Sequence, residues 1–120
     1  MELSTCHVAK HRKVDKETTV FIDTTVKSGV QFLAPSWEMV MGHKAGTLSN
    51  EAYTDLFLKR MERSLKRFPY EWGVLLSHPS VCLACYCPSG CFCHRLLLVS
   101  FIKSLCLERG EPFIYRGEIL

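Results

Sequence analysis

The sequence predicts an α/β domain with a small central, mostly parallel sheet and flanking helices. Three observations support this prediction. Apolar, β-branched stretches lie towards both ends of the chain, amphipathic segments with helical spacing lie between them, and residues 80–119 follow the pattern strand, helix, strand. A helix between two strands forms a crossover that joins parallel strands. The predicted order is β-β-α-α-β-α-β.

The first two strands are expected in the N-terminal quarter of the chain. Residues 4–11 predict a short strand that ends at the basic run His11-Arg12-Lys13. Residues 18–26, Thr-Thr-Val-Phe-Ile-Asp-Thr-Thr-Val, are β-branched and aromatic, which is typical of a core strand. Lys27-Ser28-Gly29 then breaks that strand.

Two capped helices are predicted next. Ser36 follows Pro35 and suits the N-cap of a helix that runs to Lys44 and stops at Gly46. Ser49 caps a longer helix, which Pro69 ends or kinks. Five of its apolar side chains fall at helical spacing and are expected to face the core: Tyr53, Leu56, Phe57, Met61 and Leu65.

The last third of the chain carries the clearest elements. Residues 80–87 are apolar almost throughout, as expected for a strand that is buried on both faces. Residues 93–109 predict a helix that ends at Gly110, and a last strand begins near Pro112.

Composition limits the classes of function. A length of 120 residues indicates one domain spanning residues 1–120, and a net charge of +3 permits an anionic ligand. The same mild charge neither requires nor excludes nucleic acid. No apolar run approaches the roughly 20 residues that span a bilayer, and no signal peptide is apparent. The cytoplasm is therefore the expected location, where thiols stay reduced.

Five of the seven cysteines lie between Cys82 and Cys93, and His94 and Arg95 follow directly. In a metal-binding interpretation, zinc would be held by residues of this stretch: Cys85, Cys87, Cys91 and Cys93. Their spacing lacks the distant second pair of ordinary structural zinc sites.

A catalytic interpretation needs fewer residues. A thiolate at Cys87 or Cys93 would be favoured by the helix N-terminus, with His94 as acid or base and Arg95 binding a phosphate or carboxylate. In a third interpretation, which suits Cys82 and Cys106 best, buried cysteines are simply small apolar side chains.

Two blocks of this sequence resemble the DUF488 family, whose proteins are of unknown function. The first block is Val26-Lys-Ser-Gly-Val-Gln-Phe-Leu-Ala-Pro-Ser-Trp, continued by residues 49–54, and the second spans residues 83–98 with Cys-His-Arg opening a helix. The resemblance implies an α/β fold and a site at its motif positions. These are Lys27, Ser28, Pro35, Ser36, Trp37, Tyr53, Cys85, Cys87, Cys93, His94 and Arg95, whereas Cys82 and Cys91 are additions to the usual pattern.

Parallel strands should bring both blocks to one edge of the sheet. A pocket there would combine Lys27, Ser28, Trp37 and Tyr53 with the Cys-His-Arg motif, and would suit an anionic, nucleotide-like small molecule. Two alternatives remain open. One is a zinc-stabilised structural or interaction module. The other is a phage-encoded protein that inhibits a host protein through the basic helix face of Lys59, Arg63 and Lys66.

Overall fold

Four parallel strands form the central sheet of the computed structural model, which describes residues 1–87 and 92–120. They are β1 (Glu2–His7), β2 (Val20–Asp23), β3 (Ser80–Cys85) and β4 (Ile114–Ile119), in the spatial order β2-β3-β1-β4. Every pairing in this sheet is parallel. The predicted α/β class with a small parallel sheet is confirmed.

Four α-helices accompany the sheet: α1 (Trp37–Lys44), α2 (Asn50–Arg67), α3 (Pro69–Ser77) and α4 (His94–Glu108). The predicted order contains no helix at the position of α3, so the observed order becomes β-β-α-α-α-β-α-β. α3 is a separate helix because Phe68 leaves helical geometry and Pro69 restarts the helix at its first turn. Trp72, Leu75 and Leu76 then bury their side chains in the core.

The strands are shorter than the sequence suggested. β1 ends at His7, because His7 Nδ1 accepts a hydrogen bond from the amide of Ala9 and a 3₁₀ helix follows. β2 covers only four residues and is a half-buried edge strand, so the expectation of a core strand over residues 18–26 is wrong. β3 ends at Cys85, two residues before the predicted end of the strand at residue 87.

Both serine caps occur as predicted. Ser36 accepts a hydrogen bond from the amide of Met39, and Ser49 accepts one from the amide of Ala52. Among the residues expected to face the core from α2, Tyr53, Phe57 and Met61 are buried and Leu65 is half-buried. The expectation for Leu56 is wrong, because it lies beside the buried stripe and keeps 43% of its surface exposed.

The helices pack their apolar residues against one face of the sheet. Leu3, Val81 and Leu83 from the strands meet a cluster contributed by α2, α3 and α4, namely Phe57, Met61, Trp72, Leu98 and Ile102. The other face carries a smaller cluster, formed by Cys6, Val14, Cys82 and Ala84. Within the described residues, no helix is both long and apolar enough to cross a membrane.

Candidate functional site

A cavity of about 560 Å³ opens where β2 and β3 end. Because these strands are parallel neighbours, the segment after Asp23 and the segment after Cys85 leave the sheet at the same edge. The cavity is lined by both segments and by residues of α1, α2 and the start of α4. Its walls include Thr25, Lys27, Trp37, His43, Lys44, Tyr53, Cys85, Cys87, Phe92, Cys93 and His94.

Three cysteines converge on the floor of this cavity. The sulfur atoms of Cys85 and Cys93 lie 2.6 Å apart, and the Cys93 thiol also hydrogen-bonds with Cys87. Cys85 and Cys93 are buried, whereas Cys87 is half-exposed. Hydrogen bonding to Cys85 and Cys87, together with burial, raises the pKa of the Cys93 thiol strongly, so Cys93 reacts as a nucleophile only when a base takes its proton.

His94 turns one ring nitrogen towards these sulfurs. Its Nε2 lies 2.8 Å from the carbonyl oxygen of Thr24, and because a carbonyl only accepts, Nε2 carries the hydrogen. The unprotonated Nδ1 therefore faces the Cys93 sulfur at 3.6 Å. Burial lowers the pKa of His94, so the ring is neutral and its Nδ1 can accept a hydrogen bond from the Cys93 thiol.

Arg95 lies behind the sulfurs and not in the cavity wall. Its side chain is 1% exposed and forms a two-pronged ion pair with Glu118, with distances of 3.2 Å and 2.6 Å. Its Nη1 donates to Cys85 Sγ at 2.6 Å and to the Cys87 carbonyl at 2.9 Å. Burial acts to lower the pKa of Arg95, but the hydrogen bonds with Glu118 and Cys85 raise it, so the guanidinium stays charged.

The walls of the cavity combine cations with aromatic rings. Lys27 Nζ sits 4.7 Å from the centre of the Trp37 ring, and Trp37 is 46% exposed. Further in, the rings of His43, Tyr53 and Phe92 contact one another with centroids 5.1–5.5 Å apart. Burial raises the pKa of Tyr53, so its hydroxyl remains a hydrogen-bond donor.

The structure thus brings most of the expected site residues together. Lys27, Trp37 and Tyr53 line the same cavity as the Cys85, Cys87, Cys93 and His94 side chains. Ser28 does not line it; this exposed residue bonds to Asp23 and Thr25 and shapes the loop that carries Lys27. The expected metal ligand Cys91 lies outside the described residues.

Sequence reasoning missed four residues that shape the site. Thr24 fixes the His94 ring, Glu118 holds Arg95, and His43 and Phe92 form the inner wall. His43 carries a sequence signal, since it falls in the last turn of a helix next to the predicted pocket. For Thr24 and Glu118 no local signal exists, because their partners lie 70 and 23 residues away in the chain.

The geometry is also compatible with a metal ion. Among the described residues, the ligand atoms of Cys85, Cys93 and His94 lie within 4.8 Å of one another. The Nε2–H bond to the Thr24 carbonyl is the arrangement that orients metal-binding histidines. This cluster contains two of the four cysteines expected to bind zinc, Cys85 and Cys93, and Cys87 is not part of it.

Comparison with protein families identifies the group to which this chain belongs. The model of DUF488-N3a, described as the active DUF488-N3 subclade, matches residues 3–105. The chain belongs to the DUF488 family. No curated protein and no solved structure matches this DUF488 protein.

The match includes both sequence blocks and every expected site residue, but it stops before β4. The carboxylate that holds Arg95 therefore comes from a strand outside the part that matches DUF488-N3a.

Proposed function

We propose that this DUF488 protein binds an anionic, nucleotide-like small molecule in the cavity and acts on it with a cysteine thiol. The observation that carries the proposal is the composition of the cavity wall. One open cavity contains a thiol cluster on its floor, an aromatic lining and the cation of Lys27 at its side. Such a combination of apolar surface and a few convergent polar groups is typical of small-molecule sites.

In this proposal, the exposed ring of Trp37 stacks on a flat group of the ligand. Lys27 Nζ, held over the same ring, neutralises an adjacent negative charge. Lys44 lines the cavity and supplies a second cation. The Tyr53 hydroxyl, which stays protonated, donates a hydrogen bond from the inner wall.

The reactive group is Cys87 or Cys93, supported by His94 and Arg95. The Nδ1 atom of His94 is placed to take the proton of Cys93, and the buried guanidinium of Arg95 stabilises negative charge on the sulfur cluster. Arg95 is thus assigned to the thiols rather than to the ligand. Thiol chemistry requires a reducing compartment, in agreement with the cytoplasmic location expected from the sequence.

The test is ligand-induced stabilisation across a panel of nucleoside mono-, di- and triphosphates. A ligand present at about 100 times its Kd should stabilise the fold by about 2.7 kcal/mol, which raises the melting temperature by several degrees. Lys27→Ala should weaken that binding about tenfold, or about 1.4 kcal/mol.

The matched control for Lys27→Ala is Lys103→Ala, which removes an exposed lysine of α4 away from the cavity. Lys103→Ala should bind the same nucleotides as the parent chain. If no nucleotide raised the melting temperature, or if both lysine variants weakened binding equally, the anionic-ligand proposal would be wrong.

A structural zinc site is the second candidate function, and the Cys85, Cys93 and His94 cluster favours it. In that case these residues would hold the ion and the ion would brace the segment before α4. Metal content of protein purified without added metal tests it. About one zinc per chain, with the cluster thiols protected from alkylation, would support this candidate against the catalytic proposal.

A further inference from the structure

We propose that Cys85 and Cys93 form a dithiol–disulfide pair that exchanges with small-molecule disulfides entering the cavity. This inference rests on the proposed function, because the same cavity receives the ligand. The co-reactant is a small molecule that contains an S–S bond. The inference assigns to Cys85 an oxidation–reduction role that the nucleotide-site proposal does not require.

The first argument is the geometry of the two sulfurs. They are unbridged and lie 2.6 Å apart, which is close to the 2.03–2.05 Å of a covalent disulfide. Closing the bond therefore requires a small displacement of the side chains. Cys85 and Cys93 are almost fully buried, with 1% and 3% exposure, yet both residues line the cavity, so a reactant would reach them from the cavity side.

The second argument is the charge next to Cys85. The buried Arg95 guanidinium donates to Cys85 Sγ at 2.6 Å and reaches Cys93 Sγ at 3.5 Å. Thiol–disulfide exchange proceeds through an attacking and a leaving thiolate, and both are stabilised by an adjacent cation. The carboxylate of Glu118 holds that cation in place.

The exchange balances without any other reactant. Cys85 Sγ loses its proton and attacks one sulfur of R–S–S–R, which forms a Cys85–S–S–R bond and expels RS⁻. Cys93 Sγ then loses its proton and attacks Cys85 Sγ, which closes the Cys85–Cys93 bond and releases the second RS⁻. The two expelled thiolates take up the protons of the two cysteines. The chain is oxidised to a disulfide and R–S–S–R is reduced to two R–SH.

A second pair of cysteines provides an internal control. Cys6 and Cys82 are buried with their sulfurs 3.5 Å apart, but they belong to the cluster on the opposite face of the sheet. Neither residue lines the cavity. The Cys6 and Cys82 pair therefore has a short separation but no access from the cavity.

The experiment treats the reduced full chain with dithiobis-nitrobenzoate, an aromatic disulfide that carries two carboxylates. Peptide mapping by mass spectrometry then locates every new bond. The native chain should release both nitrothiobenzoate groups and yield a Cys85–Cys93 disulfide without an adduct on either residue. Cys85→Ser should stop at a mixed disulfide on Cys93, and Cys93→Ser should stop at one on Cys85. Cys82→Ala should behave as the native chain.

Mapping on the native chain decides the question even if a serine variant fails to fold. A disulfide that joins Cys87 to either partner, a Cys6–Cys82 disulfide, or persistent adducts on Cys85 and Cys93 would overturn the inference. Its failure is separable from that of the proposed function. A Cys85–Cys93 bond formed without nucleotide binding contradicts only the nucleotide proposal, and nucleotide binding without that bond contradicts only this inference.

Discussion

Asp23 illustrates how one side chain at the end of a strand sets up the neighbouring site. Its carboxylate accepts hydrogen bonds from the Thr25 amide and from the Ser28 hydroxyl. Burial acts to raise the pKa of Asp23, but these hydrogen bonds outweigh it and lower the pKa below its ordinary value. The charged carboxylate therefore stabilises the loop that places Lys27 beside the cavity.

This arrangement predicts an acid-sensitive contribution to stability. Because the folded-state pKa is depressed, the contribution of Asp23 is fully present above the ordinary aspartate pKa of about 3.9 and is lost as the pH falls through the folded-state value. Asp23→Asn should therefore be less stable than the parent at neutral pH, and the difference should shrink in acid. Urea unfolding at a series of pH values measures this difference in the free energy of unfolding. Glu62→Gln, at an exposed position, is the control. A difference that does not change with pH would contradict the argument.

Gly29 is the residue in the same loop that tolerates substitution least. A Cβ atom there would lie 2.6 Å from the backbone oxygens of Asp23 and Thr25 and closer still to the Thr25 amide nitrogen. Backbone atoms cannot yield as a flexible side chain can, so Gly29→Ala should cost about 2 kcal/mol or more.

Gly73→Ala is the matched control for Gly29→Ala. A Cβ atom at Gly73 meets nothing within 4 Å, and Gly73 lies inside α3. Alanine should therefore stabilise this helix by about 0.5–1 kcal/mol. Chemical denaturation of both variants measures the contrast, and equal effects at the two positions would be contrary to the prediction.

The residues of the site were predictable where the signal is local. Cys93, His94 and Arg95 open a helix, and their place beside a strand end follows from the sequence pattern alone. The role of Arg95 was not predictable in the same way. Its position next to Cys85 and Glu118 depends on which strands flank β3 and β1, and local patterns carry no information about strand order.

Among the elements, β4 contributes more to the site than its exposed position suggests. It is an edge strand, and Ile114, Tyr115 and Arg116 are exposed. Its Glu118, however, carries the carboxylate that pairs with Arg95, with side-chain exposures of 18% and 1%. A strand outside the matched family region therefore supplies the counter-charge of the buried arginine.

Removing this carboxylate should be costly, because it leaves a buried guanidinium without its main partner. Glu118→Gln should lower the free energy of unfolding by about 3 kcal/mol. This value is near the low end of the cost of breaking a buried ion pair, because Glu118 is not fully buried. Guanidinium chloride unfolding measures the loss.

The same strand offers the control for Glu118→Gln. Arg116 pairs with Glu2 at the surface, where the side chains are 59% and 45% exposed. Exposed pairs contribute little, so Arg116→Gln should cost less than about 1 kcal/mol. If the two substitutions had similar effects, the structural importance assigned to Glu118 would be incorrect.

Element boundaries were predicted best where a cap or a glycine marks them. Ser36, Ser49 and Gly110 were all placed at helix ends, and Gly110 adopts a positive φ of 66° there. The length of β2 was overestimated because β-branched residues indicate only a preference for extended backbone. They do not indicate where neighbouring strands stop pairing, and within residues 1–87 and 92–120 the sole partner of β2 is β3.

At the scale of the whole molecule, the core does not depend on the cysteine cluster. The main cluster of buried side chains joins α2, α3 and α4 to the sheet through Trp72, Phe57, Leu98 and their neighbours. In the described residues, every buried side-chain nitrogen and oxygen has a hydrogen-bond partner. The buried nitrogen and oxygen atoms of these described side chains are therefore satisfied by protein groups alone.

We accordingly predict that chelation leaves the fold intact. Incubation with EDTA should leave the melting temperature and the far-ultraviolet circular dichroism spectrum unchanged, with re-addition of zinc as the reference condition. Unfolding on chelation, with recovery when zinc returns, would instead favour the structural-zinc candidate.

The position of β1 also has a consequence for how the chain acquires its structure. β1 is the first strand in sequence, yet it lies inside the sheet between β3 and β4, and pairs Glu2 with Ser80 and with Ile114. Its partners are the last two strands in sequence, so both pairings close very long loops. Such non-local pairing slows folding and leaves strand edges unpaired meanwhile. On a ribosome, β1 therefore stays unpaired until nearly the whole chain has emerged.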